Sequence, residues 1–205
     1  MDAKWKLACL AVMLSGFSFV SSPSEAKTIF RKSFSYFSIS GKTPEDLDRE
    51  LSKRGPLARS TGSRHPGATQ IKFGGTVTYF EGGGRCAVRE AKVTLSTKII
   101  LPRWSNRRRA NAEMRLVWDT LAADIKRHEE RHAEIARTHA NMLEKTLVSL
   151  GTASSCSQMK DRVAIASAKA IEAHGADQRR FDRIEAINFE SRIVRLLRHR
   201  MGKMD

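Results

Sequence analysis

From residue 28 to residue 100 the apolar positions come in short clusters rich in aromatic and β-branched residues, separated by glycine-rich turns. That pattern predicts strands, at Phe30 to Ile39, Gln70 to Phe80 and Cys86 to Ile100. In the last of these, Val93, Leu95, Thr97 and Ile99 alternate with polar positions, as a strand buried on one face should. Gly82-Gly83-Gly84 supplies the hairpin before it. Between the first two strands, Thr43-Pro44-Glu45-Asp46 is a helix start. Threonine caps, proline fits the first turn, and two acids face the positive end of the dipole. This helix is expected to end near Gly55-Pro56, and Ala58 to Ala68, with no periodicity, reads as a loop.

From Ala110 the period lengthens. Trp118, Leu121, Ile125, His128, His132, Ile135, His139 and Met142 follow at steps of three and four, which predicts one stripe of a long helix facing something buried. Gly151 and the serine-rich turn to Ser157 end it, and a second helix is expected from Met159 to Arg200. Two long helices with a short link pack antiparallel. The expected fold is α+β, a small, mainly antiparallel sheet followed by two long helices. It forms one domain over 27–205, with a strand-rich half at 27–105 and a helical half at 110–200.

Charge and cysteines refine this picture. Lys4 and Lys6 precede an apolar run from Leu7 to Val20, and Ser24 and Ala26 precede a cut after Ala26, which is the pattern of a secretory signal peptide over residues 1–26. At about 14 residues the run is shorter than the roughly 20 a spanning helix needs. An uncleaved amphipathic anchor is the alternative. Cys9 opens the apolar run instead of following it, which argues against a lipoprotein cut. The expected location is the periplasm or the exterior. There the remaining Cys86 and Cys156 are expected to pair, the alternative being buried thiols. The 37 Lys and Arg against 22 Asp and Glu give +15, which attracts anionic lipid, polysaccharide or nucleic acid without choosing among them. At the last helix, basic and apolar residues alternate by turn from Arg192 to Arg200. That suits either a helix resting on an anionic envelope surface or one packed on the core with its basic face in water.

The chemistry lies in His128-Glu129-Glu130-Arg131-His132. Histidines four apart on a helix are separated by about 400° and about 6 Å, so both imidazoles point the same way and can bind one tetrahedral zinc. Glu129, rotated about 100° from His128, can act as general base on a zinc-bound water. The competing reading is a salt-bridged helix face, with Lys126 pairing with Glu130 and Arg131 with Glu134. His139 shares the stripe but lies about 10 Å beyond His132 along the axis, so it is read as core.

The chain resembles the bacterial family of predicted secreted zinc-dependent proteases, long described only as a domain of unknown function. The resemblance rests on Tyr36 to Gly41 leading into Thr43 to Leu47, on Arg54-Gly55-Pro56, Cys86, Leu101-Pro102-Arg103-Trp104, Trp118 and the block from His128 to Ile135. It implies a zincin-like zinc metallopeptidase acting on a peptide or protein substrate, with no specific nucleic acid partner. The family pattern then has an aromatic-Asp pair, a Thr and a His-Gly. Phe181-Asp182 matches the pair, but Glu185 and Ile187 stand where the Thr and His would fall. The family spacing therefore points to Glu185 as third zinc ligand. An antiparallel helix pair points instead to His174 or Asp182. Two other readings are kept open: a non-catalytic envelope protein with a structural or vestigial zinc site, and a basic module for anionic lipid or polymer.

Overall fold

The computed structural model describes residues 25–57 and 62–203. The expected leader lies outside them, apart from its last two residues. The elements run β1 (Glu25–Ile39), α1 (Pro44–Arg54), β2 (Ala68–Gly82), β3 (Arg85–Trp104), α2 (Ala112–Val148), β4 (Thr152–Ala153) and α3 (Cys156–Met201). The fold is α+β, as the two periodicities predict.

Local chemistry explains the boundaries. The Thr43 hydroxyl accepts from the Asp46 amide while the Asp46 carboxylate accepts from the Thr43 amide, a complete capping box at the start of α1. The β2–β3 hairpin turns at Gly83 and Gly84, with φ of 58° and 69°, a backbone region that glycine enters without steric cost.

The strand order is β1-β3-β2, with β4 paired to the start of β3. The β2–β3 and β3–β4 pairings are antiparallel. β1 departs from the expected pattern and runs parallel to β3, from Glu25 opposite Glu90 to Ile39 opposite Trp104. Its connection contains α1, and a helix-bearing crossover gives the chain the length a parallel return needs.

α2 covers one face of this sheet. Ala91, Val93, Leu95, Thr97, Ile99 and Leu101 of β3 are buried beneath it. The buried track of α2 runs through Trp118, Ile125, Glu129, Ala136, Ala140, Leu143 and Leu147. This corrects the expected stripe in one respect. Met142 is 54% exposed, and His128, His132 and Ile135 lie beside the sheet-facing track, on the flank turned to α3. Steps averaging 3.5 residues drift by about 20° per heptad on a straight helix, and over three heptads that drift moves the stripe to a neighbouring face.

α3 returns antiparallel along that flank: Asp124 meets Arg192, His132 meets Gln178, and His139 meets Asp177. Its only buried residue is Met159. Cys86 and Cys156 are joined, with Cα atoms 5.0 Å apart, so the start of α3 is tied to the start of β3. Closing a loop with a sequence separation of 70 is worth about 4 kcal/mol in the chain-entropy model.

Candidate metal centre

His128 and His132 present their Nε2 atoms to each other at 3.0 Å, on the α3-facing flank of α2. Opposite them Asp182 of α3 places Oδ1 at 2.9 Å from His132 Nε2 and 3.4 Å from His128 Nε2. These are the atoms that could hold a metal ion. Tetrahedral zinc with ligands at about 2.0–2.1 Å keeps its donor atoms about 3.3 Å apart. The three separations bracket that value, so the donor set fits the ion in kind and in spacing. Three protein donors leave a fourth position, and Asp182, with a side chain 54% exposed, lies at the open side.

The sequence offered three candidates for the third donor, and the structure brings Asp182 into the group. Glu185 stands one turn further along α3 and is engaged elsewhere. Its carboxylate accepts from Arg127, lies 3.2 Å from Arg192 Nη2, and faces Nδ1 of His128 at 3.6 Å, behind the ring. A carboxylate behind a ligand imidazole supports it instead of replacing it. The Nε2 of His174 is occupied by the Gln178 amide at 2.8 Å, and its ring packs edge-on against Phe73. His139 is 6% exposed and pairs with Asp177 at 2.9 Å, so its reading as a core histidine agrees with its placement.

Gln178, which the sequence did not single out, fixes the chemistry of His132. Its Nε2 donates to the His132 carbonyl at 3.0 Å, which leaves Oε1 as acceptor for His132 Nδ1. His132 Nδ1 therefore donates to Gln178, which leaves Nε2 as the ring atom that faces Asp182 and His128. Phe181 restrains both rings, stacked on His128 at 5.0 Å and edge-on to His132 at 5.1 Å.

Glu129 is turned toward β2, about 100° round α2 from His128, and its carboxylate still feels the charges of His132, His128 and Asp182. It is 5% exposed, and its Oε2 accepts from Thr69 Oγ1 at 2.8 Å. The same hydroxyl lies 2.8 Å from the Glu129 carbonyl. A Cβ on Gly67 would come within 2.9 Å of Glu129 Oε1 and of Ile125 Cγ2, so glycine there makes the space this carboxylate occupies. Burial pushes the Glu129 carboxyl above its ordinary range, against the Thr69 bond and the charges of His132 and His128. Burial would also raise Asp182, but hydrogen bonds and charge from both histidines hold it far below the usual carboxylate range. Burial would lower His132, yet Asp182 and Gln178 outweigh it and raise its pKa.

The expected helix-face pairs are present too, Lys126 with Glu130 and Arg131 with Glu134, each at 2.9 Å. They occupy the exposed flank and leave the histidines turned to α3. Below the group, Asp124 accepts from Arg127 at 3.0 Å and from both nitrogens of the Arg192 fork at 2.9 and 3.1 Å, and so holds α3 in register.

No match to a curated protein or to a solved structure was found. A family model does match, over residues 34–189, which include β2, β3, α2 and every residue of the metal group. Its description is "Bacterial protein of unknown function (DUF922)", and the chain belongs to that family.

Proposed function

We propose that this protein is an exported zinc-dependent peptidase, with His128, His132 and Asp182 holding the metal and Glu129 as general base. The observation that carries the reading is the convergence of three donor atoms within 2.9–3.4 Å of one another, one residue away from a buried glutamate on the same helix. When bound, zinc supplies a Lewis acid for a scissile carbonyl and lowers the pKa of water.

The remaining work falls to this chain's own groups. Glu129 takes the proton of the attacking water and delivers it to the departing amine nitrogen. Its raised pKa brings it closer to neutrality, where a base can both accept and release a proton. Thr69 holds one carboxylate oxygen by hydrogen bonding and so orients the other. β2 carries Thr69 and, among the described residues, pairs along one edge only, with β3. Its other edge supplies backbone groups for an extended peptide beside the base. Export is part of the proposal because Cys86 and Cys156 pair and the N-terminal pattern is that of a secreted chain.

Glu129→Gln keeps the shape of the side chain and removes its basicity. The zinc-loaded variant should lose peptide hydrolysis by about 10²–10⁴-fold, with zinc content and fold unchanged. Activity on a mixed peptide library, with metal content measured in the same samples, is the test. Undiminished hydrolysis by the variant would refute the mechanism. A zinc-loaded wild type without hydrolysis would favour a non-catalytic envelope protein with a structural zinc.

A further inference from the structure

From His174 onward α3 has two faces, and only one is used. The inward face carries His174, Gln178, Phe181, Glu185, Arg192 and Leu196, all partly buried. On the opposite face Ile184, Ile187, Val194 and Met201 are 47%, 82%, 40% and 56% exposed. With Ser191 and Arg198 they follow at steps of three and four, so they form one outward stripe. Within Arg192 to Arg200 the packed reading holds for Ile193, Leu196 and Leu197, which are half-buried while Arg195, Arg198 and His199 are exposed, but it does not extend to Ile184, Ile187, Val194 and Met201.

Its chemistry is specific in sign. Arg180, Arg183, Arg195 and Arg198 are exposed along the stripe, and Glu190 is the one acid beside it among the described residues. Aliphatic residues flanked by arginines are what a helix uses to lie in a bilayer interface. The apolar side chains enter the acyl boundary and the guanidinium groups meet lipid phosphates. No described helix is long and apolar enough to cross a membrane, so the stripe would lie on a bilayer and not span it. A second copy seated on the same face by two-fold symmetry would bring the arginine rows together, which repulsion disfavours.

We infer that the outward face of α3, from Arg180 to Met201, is an anionic membrane-docking surface that holds the protein on a lipid bilayer. The metal group lies on the inward side of the same helix, so docking leaves it uncovered. The inference is independent of the proposed reaction.

The test uses the full chain with Ile187→Trp, at a site exposed enough to accept the larger ring, and vesicles of phosphatidylglycerol and phosphatidylethanolamine. Subtracting the wild-type emission removes the native tryptophans, so the difference reports position 187. A blue shift with these vesicles and none with phosphatidylcholine is expected. Charge removal by Arg180→Gln, Arg183→Gln and Arg198→Gln together should weaken vesicle binding on the order of a hundredfold, at about fivefold for each arginine. Polyphosphate should compete without shifting the emission, which separates lipid docking from simple phosphate binding. An unshifted difference emission from folded, vesicle-exposed Ile187→Trp protein would overturn the inference. So would equal shifts with phosphatidylcholine, or concentration-dependent dimerisation that alone buries the indole at position 187.

Discussion

The two faces of α2 are held by different physics. Toward the sheet, Trp118, Ile125, Ala136, Ala140, Leu143 and Leu147 meet β3 through apolar burial, and the small Ala136 and Ala140, both 0% exposed, let the helix lie close to it. Toward α3 the middle of the interface is made of imidazoles, carboxylates, guanidinium groups and one amide, His128, His132 and His139 on α2 with His174, Asp177, Gln178, Asp182, Glu185 and Arg192 on α3, and Phe181 packs on two of the rings. Only near the link does apolar burial join in, where Met159, Val163, Ala166 and Ala170 of α3 pack in one cluster with Leu143 and Leu147. The first face stabilises the fold without directing it to any chemistry. The second places α3 by directional bonds, the arrangement that holds ligands in position and leaves one side open to water. Glu129 is the exception that connects the two, a carboxylate on the apolar track one residue from the histidine flank.

This contrast makes the largest effect fall on the sheet side. Leu95 is 2% exposed at the centre of β3, and Leu95→Ala should cost about 2–5 kcal/mol and unfold both halves together in a single denaturant transition. A transition that splits, with α3 unaffected, would show the helical half to be independent of the sheet.

On the α3 side the strongest single point is Asp124, 4% exposed and bonded to Arg127 and Arg192. Burial would raise its pKa, but the hydrogen bonds from Arg192 and Arg127 and their charges outweigh it and lower it. A carboxyl depressed in the folded state contributes stability that is complete above its unfolded pKa of about 3.9 and is lost as pH falls through the lower folded value. Asp124→Asn should therefore cost about 1–3 kcal/mol near neutrality and flatten the fall of Tm in acid. Thermal melts of both proteins from neutral pH into acid check this. Parallel curves would remove Asp124 from the account of how α3 docks.

Gly67 offers a smaller and more local probe. In Gly67→Ala the new methyl would meet Glu129 Oε1, Glu129 Cγ and Ile125 Cγ2 within 2.9–3.0 Å. The expected cost is about 1–2 kcal/mol, with hydrolysis reduced more than stability because the base is displaced. Equal stability and equal activity would mean that the carboxylate moves aside freely.

What the sequence made legible follows from how far each signal reaches. Thr43, Pro44 and the acids after them lie within one turn, so the helix start could be read without the fold, and the structure adds the return bond from the Thr43 amide to the Asp46 carboxylate. The histidine spacing on α2 is equally local. Asp182 was harder. Its place beside His132 depends on the rotation of α3, which the docking of Arg192 and Gln178 fixes across the helix pair. The antiparallel level pointed near it, and the Phe181-Asp182 pair marked it, but the family spacing drew attention to Glu185, which supports His128 from behind. Thr69 and Gly67 gave no periodic signal, because they lie at the start of β2 and in the irregular stretch before it, and tertiary packing alone brings them to Glu129.

The metal group itself is tested most directly by titrating zinc into the wild type, Asp182→Ala and Glu185→Ala, with fold checked by circular dichroism. About one equivalent is expected in the wild type, loss of tight uptake in Asp182→Ala, and one equivalent in Glu185→Ala at about 10–100-fold weaker affinity. Wild-type uptake by Asp182→Ala, together with none by Glu185→Ala, would contradict the assignment.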